Sequence, residues 1–253
     1  MSPENGWWTD FFSGLVLETI RDMFPAEHTR ADVDYLWQAL DLRPGATVLD
    51  VPCGAGRLAL ALAERGCSVT GVDIAEDLLA DAQQSAEARG LSATFERRDM
   101  RDLCPSGSFD AAFCFGNSFP YLDDEGNAAF LRAVAGALRP GGRFALETGL
   151  AAEAILSSPL YTRTWHELGG VLMLRNPSYD PATSRLTVEY TFMRDGRREV
   201  RPAVYRVYLA RDLVAMFAAA GFDDVRTAGS RAGEPFALGS RNLYLNATRR
   251  AGS

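Results

Sequence analysis

No lysine occurs in the 253 residues; all 26 basic side chains are arginines. That excludes a Walker-type lysine, a lysine Schiff base and lysine-bound pyridoxal phosphate. Histidine is nearly as scarce, with only His28 and His166. The four cysteines, Cys53, Cys67, Cys104 and Cys114, form no C-x-x-C pair. No zinc-ligand cluster can be assembled from so few donors, and the thiols read as free and mostly buried, in a reducing compartment. No apolar run approaches the ~20 residues that span a bilayer, and the opening MSPENGWWTDFF lacks a basic region followed by an apolar core. Beyond the pairs Arg97-Arg98, Arg197-Arg198 and Arg249-Arg250 there is no basic run, and the formal net charge is -7. A nucleic-acid phosphate tract is therefore a poor partner. The expectation is a cytoplasmic protein without nucleic-acid or membrane partners; a homo-oligomer stays open.

What the chain does have is concentrated between Thr47 and Arg65, TVLDVPCGAGRLALALAER. Thr47 to Val51 is a β-branched apolar run suited to a buried parallel strand, and from Arg57 the apolar residues recur at helical spacing. Pro52, Cys53, Gly54, Ala55 and Gly56 join the two, and the glycines allow a tight turn close to a ligand at the helix N-terminus. Taken alone, Gly54-Ala55-Gly56-Arg57-Leu58-Ala59 also fits the G-x-G-x-x-A pattern of a dinucleotide site, with Asp73 at a suitable distance for a ribose. Asp50 tips the choice. A carboxylate at the end of that strand crowds a pyrophosphate, but suits a ligand with an ammonium group and no phosphate, such as S-adenosylmethionine.

These residues resemble the glycine-rich motif of the class I S-adenosylmethionine-dependent methyltransferases, a strand ending in Asp or Glu followed by x-G-x-G. The resemblance implies S-adenosylmethionine as cofactor, with Asp50, Pro52, Cys53, Gly54 and Gly56 around its amino acid end. It further implies that Asp73, closing a second strand over Cys67 to Asp73, grips the ribose hydroxyls with Ile74 beside it. After a third strand, Ala93 to Arg97, Asp99 would accept the adenine amino hydrogen while Met100 packs on the ring. A fourth strand, Phe109 to Phe115, runs into Gly116-Asn117-Ser118-Phe119-Pro120-Tyr121-Leu122. That segment resembles the N-S-F-G-Y stretch of a bacterial small-molecule methyltransferase group, with Pro120 where glycine is usual. Phe115, Gly116 and Asn117 are thereby implied at the cofactor and Tyr121 at the substrate. The L-R-P-G-G-R-F run from Leu138 is a further likeness, and the resemblance covers nearly the whole chain.

Helices are predicted from about Ala75 to Arg89, over Asp124 to Leu138 and over Arg211 to Ala220, with a fifth strand at Arg143 to Glu147. A sixth strand opens near Val225 and a seventh covers Asn242 to Ala247. The fold expected is α/β, a doubly wound Rossmann-like seven-stranded sheet with the last strand antiparallel, in one methyltransferase domain. Its core comprises residues 42–148 and 210–248.

Two segments flank that core. Residues 1–41 read as a helical arm in two pieces, with Thr29 capping the second, and Trp7, Trp8, Phe11 and Phe12 are candidates for a lid. Residues 149–209 read as an antiparallel insertion over the pocket. Its strands are Gly170 to Tyr179, Arg185 to Met193 and Arg198 to Leu209, with Leu186, Val188, Tyr190 and Phe192 on one apolar face. Trp165, His166, Arg206 and Tyr208 are its candidate substrate-lining residues. The function expected is methyl transfer to a nitrogen or oxygen of a small molecule by in-line displacement. A hydroxyl acceptor would need a base, for which His28, His166, Asp123 and Asp124 are available, none assigned. The competing readings are an NAD-linked oxidoreductase and an adenosylmethionine-binding regulator without turnover.

Overall fold

The structure, a computed structural model, describes residues 6–21, 23–104, 106–157 and 162–251. Residues 1–5 of the expected arm and 158–161 of the expected insertion lie outside the described residues. The arm begins with two short helices, α1 (Trp8–Phe11) and α2 (Leu15–Arg21), followed by α3 (Ala26–Ala39). The expected second helix thus starts earlier than its apolar spacing suggested. Pro25 sits at its N-cap, where a fixed φ and a missing N–H cost nothing. Thr29 is not a cap; its hydroxyl accepts from Arg57 Nη1 at 3.2 Å.

The core then alternates β1 (Thr47–Asp50), α4 (Arg57–Glu64), β2 (Ser68–Asp73), α5 (Glu76–Arg89), β3 (Ala93–Arg97) and β4 (Phe109–Cys114). A 3-10 turn at Phe119–Tyr121 leads to α6 (Asp124–Ala137) and β5 (Leu138–Thr148), and the short α7 (Ala152–Ile155) ends this half. β5 is longer than expected: Leu138 already pairs with Phe109, and a register break takes up Arg139-Pro140-Gly141-Gly142 before Arg143 pairs with Ala111. Gly141, at φ +77, lets the backbone make that bulge.

The insertion contains four strands, one more than expected: β6 (Thr164–Leu168), β7 (Val171–Asp180), β8 (Arg185–Arg194) and β9 (Arg197–Arg206). β6 escaped notice because its residues are half or fully exposed on both sides and carry no alternation. The chain closes with α8 (Ala210–Ala219), β10 (Phe222–Ala228) and β11 (Leu243–Arg249).

Seven strands form one sheet in the order β10-β11-β5-β4-β1-β2-β3. All are parallel except β11, which pairs antiparallel with both β5 and β10, as the sequence predicted. β1 lies between β2 and β4, and its Val48 and Leu49 are fully buried. One face of the sheet is covered by α6 and α8, through Phe130, Leu131, Val134, Leu213 and Phe217. The other is covered by α3, α4 and α5, through Val33, Leu36, Leu58, Leu62 and Ala86. A third apolar cluster joins α1 and α2 to the second sheet: Phe11, Leu15 and Val16 pack on Val188, Phe192 and Ala203. The expected apolar face of β8 is therefore real, and the arm helices cover it. No helix among the described residues is long and apolar enough to cross a membrane.

Candidate active site

Parallel strands end where their helices begin, so the carboxyl ends of β1, β2, β3 and β4 open onto one crevice. There the structure has a cavity of about 700 Å³, bounded on its far side by the arm and the four-stranded sheet. Its volume is within the usual range for small-ligand sites and leaves room for a nucleoside-sized ligand with a second small molecule.

The glycine turn shapes one end. Gly54 and Gly56 hold φ of +53 and +71, conformations that side chains disfavour. At Gly56 a Cβ would also lie 2.9 Å from the Phe95 ring and 3.0 Å from Ala82, so this residue sits behind the wall rather than on it. Asp73 ties the turn to β2: its Oδ2 accepts the Gly54 N–H at 2.7 Å and its Oδ1 the Ala75 N–H at 2.9 Å. Burial raises the Asp73 carboxyl while these backbone donors pull it back. Asp50, 3% exposed, is pushed well above the usual carboxylate range by burial, with Arg57 opposing and Asp73 adding to the shift. Asp99 points the other way. Arg101 grips it through Nε at 2.8 Å and Nη2 at 2.7 Å, holding its carboxyl below the ordinary value.

This donor set decides between ligands. The Gly54 N–H is taken by Asp73 and the Gly56 N–H by the Cys53 carbonyl, so neither glycine N–H is free for a pyrophosphate. Two buried carboxylates, Asp50 and Asp73, face the same space. Their chemical complement is a ligand that brings positive charge and hydroxyl donors and carries no phosphate.

Of the residues singled out from sequence, Asp50, Pro52, Cys53, Gly54, Asp73, Ile74, Asp99, Met100, Phe115, Gly116, Asn117 and Tyr121 line this cavity. Asn117, at φ +66, turns its amide oxygen away to accept the Gly149 N–H, at 2.5 Å, which fixes the loop to the end of β5. Gly116 donates its N–H to Glu147 Oε2 at 3.1 Å.

Trp165, His166, Arg206 and Tyr208 are not brought to the cavity. Trp165 is 74% exposed on β6, on the sheet face opposite Met173. The Tyr208 hydroxyl donates to Asp124 Oδ1 at 2.7 Å and accepts from Asn127 Nδ2 at 3.1 Å. Arg206 Nε donates to the same Asp124 oxygen at 2.8 Å, with its guanidinium 4.7 Å above the Tyr208 ring. Both residues therefore clamp the start of α6. None of the four candidate bases lines the cavity either: Asp123 caps α6, Asp124 is held in this clamp, His166 is exposed, and His28 packs against Asp32.

The second sheet instead presents Met173, Tyr190, Phe192 and Tyr205, with the Tyr190 and Tyr205 hydroxyls 3.2 Å apart. The alternation along β8 already placed Tyr190 and Phe192 on one face and could have named them. Opposite stand Trp8, Phe11 and Phe12 of the arm, whereas Trp7 packs behind, 4.7 Å from Tyr121 and with its Nε1 donating to the Val204 carbonyl at 2.9 Å. Burial pushes the Tyr121 and Tyr205 hydroxyls far up.

Arg57 was also missed. It lies on the cavity wall, 2.8 Å from the buried carboxylate of Asp32, which Arg231 Nε also reaches at 2.8 Å. This clamp fastens α3 of the arm to the glycine turn and to the loop before β11.

Glu147 gives one expected result at this site. It is 8% exposed, and burial lifts its carboxyl from 4.5 to about 6 against the Gly116 N–H. A raised carboxyl binds its proton more tightly folded than unfolded, so stability falls as pH rises from 4.5 to about 6 and stays lower above it. Glu147→Gln keeps the acceptor for Gly116 and removes the ionisation. It should raise stability by up to about 2 kcal/mol at neutral pH and hardly at all below pH ~4.5, measured by denaturant titration at both.

Residues 48–142 match a family model described as a methyltransferase domain. Among curated proteins, the ubiquinone biosynthesis O-methyltransferase of Xanthomonas oryzae pv. oryzae is 36% identical over 118 residues, covering 46% of this chain and 48% of that protein. The chain thus spans about half the length of that relative. Among solved structures, the CcbJ methyltransferase of Streptomyces caelestis superposes with a TM-score of 0.76 at 21% identity, covering 91% of this chain and 92% of the other. An amino pentose methyltransferase of Micromonospora echinaspora, solved with S-adenosylmethionine bound, superposes with a TM-score of 0.70 at 22% identity, covering 95% and 98%.

Proposed function

We propose, on the premise that this chain is a class I S-adenosylmethionine-dependent methyltransferase by its fold and by the domain matched over residues 48–142, that it methylates an amine nitrogen of a small molecule. The observation that carries this is the division of the cavity. Carboxylates and the glycine turn line one end, aromatic rings line the other, and neither histidine is on the wall.

Bound S-adenosylmethionine supplies a methyl group on a sulfonium whose departing thioether is neutral, so one in-line displacement suffices. Asp50 would face the ammonium at the amino acid end, along Pro52, Cys53 and Gly54, and Gly56 would keep the turn close. Each Asp73 oxygen has a lone pair beyond the one its backbone donor takes, enough for the ribose hydroxyls beside Ile74. Asp99, held ionised by Arg101, would accept from the adenine amino group over Met100. Phe115, Gly116 and Asn117 would border the transferring methyl.

At the ring-lined end Tyr121, Met173, Tyr190, Phe192 and Tyr205 exclude water and fix the acceptor's direction, the source of most of the acceleration such a displacement needs. Trp8, Phe11 and Phe12 would close the arm over it as a lid. Tyr hydroxyls raised by burial orient an acceptor; they do not deprotonate it. With every candidate base elsewhere, an acceptor that already carries a free lone pair near neutral pH is favoured. An amine in its neutral form is nucleophilic without help from a base, whereas an alcohol must give up its proton to one. The amino pentose named for the Micromonospora enzyme belongs to the class favoured here, and the O-methylation named for the Xanthomonas relative is the competing chemistry.

The test pairs binding with turnover. Calorimetry should detect S-adenosylmethionine and its demethylated product but not NADH. In a panel of matched amines and alcohols, demethylated cofactor should form with amines, and kcat/KM should rise with pH through each amine's own pKa. Binding of NADH, or methylation of alcohols alone, would sink the proposal.

A further inference from the structure

The face that the four-stranded sheet turns to the cavity continues past the rings. Registry sets Thr164 of β6, Arg175 of β7, Tyr190 of β8 and Arg201 of β9 in one cross-strand row on it. Tyr190 is on the cavity wall. Arg175 stands next to it, half-buried, with its guanidinium carbon 5.7 Å from the centre of the Tyr190 ring. The Arg175 charge also reaches the Tyr205 hydroxyl, where it pulls against the burial that raises that group.

Most half-buried guanidinium groups of this chain are already spent: Arg57 and Arg231 hold Asp32, Arg201 holds Glu199 and Arg206 holds Asp124. Arg175 has no carboxylate partner among the described residues, and its contact with the Tyr190 ring uses none of its N–H donors. The registry explains why. Glu167 and Glu189, on the strands either side of β7, pair with Leu172 and Asn176, whose side chains alternate with Arg175 and so share the opposite face. On the near face, Glu199 is taken by Arg197 and Arg201. Directly across from Arg175, Thr164 has its Oγ1 buried and bonded to nothing. A buried hydroxyl without a partner costs free energy, and an oxyanion drawn in by the guanidinium would supply one.

We propose that the acceptor carries a carboxylate besides its amine, and that Arg175, with Thr164 beside it, receives that carboxylate just past the ring-lined end of the cavity. This rests on methylation of an amine at the same site. One planar guanidinium matches one carboxylate, a monoanion, through two parallel N–H···O bonds. From Tyr121 the route to Arg175 passes Tyr205, whose ring centre is 5.7 Å from that of Tyr121, and then Tyr190, whose hydroxyl is 3.2 Å from that of Tyr205. The carboxylate is thus held at least one ring's length from the nitrogen, too far for an α-amino acid. The rings along the route suit a flat apolar spacer between the two groups. Anchored at its far end, the acceptor turns its amine back toward Asn117 and Tyr121, which is the orientation a displacement requires.

Calorimetry on the chain saturated with demethylated cofactor tests this with para-(aminomethyl)benzoate and its neutral counterpart para-methylbenzylamine. The benzoate should bind about tenfold tighter or more, as a charge-assisted pair implies. Arg175→Gln should bring the two probes within about threefold of each other, and so should Arg175→Met, which keeps the apolar stem against Tyr190. Affinity for the demethylated cofactor should stay within about threefold of the parent in both variants, which shows that they are folded. A further probe, para-(hydroxymethyl)benzoate, distinguishes the carboxylate contact from the choice of nitrogen. Binding of that alcohol in an Arg175-dependent way, with methylation of its oxygen, would support the contact while overturning the amine. An advantage of the benzoate that is missing in the parent, or that survives in either variant, overturns the inference. So does failure of both first probes to bind, or a tighter Arg175-dependent grip on para-(aminomethyl)phenylphosphonate than on the benzoate.

Discussion

Asp73→Ala is expected to weaken S-adenosylmethionine binding about a hundredfold or more, read as the calorimetric dissociation constant. The carboxylate does two jobs at once. It accepts the Gly54 and Ala75 N–H groups at 2.7 and 2.9 Å, and it faces the cavity. Hydrogen bonds to a charged acceptor are worth about 1.5–3 kcal/mol each, so losing the two ribose contacts proposed for it would alone account for two decades. Removing the side chain also strands two partly buried donors and frees the turn. Asp73→Asn separates the two effects. It keeps one carbonyl acceptor for the turn but loses the charge and half the accepting capacity, and should fall between parent and alanine variant. A dissociation constant for Asp73→Ala within about threefold of the parent would remove this residue from the site.

Gly56→Val should cost about 3–4 kcal/mol of stability, lowering Tm by about 10 °C in a calorimetric scan. A left-handed backbone costs a residue with a Cβ roughly 1–2 kcal/mol, and more when it is β-branched. Here the new Cβ also meets the Phe95 ring at 2.9 Å and Ala82 at 3.0 Å, with packed sheet and helix behind both. Gly141→Ala isolates the first contribution. Gly141 has φ +77 with nothing within 4 Å of a Cβ, so only the backbone cost, about 1–2 kcal/mol, should appear. Equal losses at both positions would mean that the wall behind the turn yields easily.

Much of this site was legible because its parts are local. A strand that ends in an acid and turns through two glycines into a helix needs no distant residue to be recognised. β1, β2, α4 and α5 accordingly fall within two residues of their predicted bounds. Asp50, Asp73 and Asp99 come together because parallel strands in register end at one sheet edge. What stayed hidden was set by partners far along the chain. Asp99 was located, but not Arg101 gripping it. Arg57 stands next to the second glycine, yet its importance comes from Asp32 and from Arg231, which lies 199 residues beyond Asp32.

The insertion draws the same boundary. Its strands alternate clearly enough to give one apolar face, and the sequence by itself determined that Leu186, Val188, Tyr190 and Phe192 share it. Which aromatic residues of the insertion would line the cavity was beyond it. Trp165 and Tyr208 carry the same chemistry as Tyr190 and Tyr205, but pairing registry turns Trp165 outward, and the clamp on Asp124 draws Tyr208 beneath α6. Periodicity fixes which side chains share a face, because it follows from the backbone repeat. Only the packing of the arm and second sheet on the core decided which face meets the ligand, because burial there depends on surfaces contributed by segments distant in sequence.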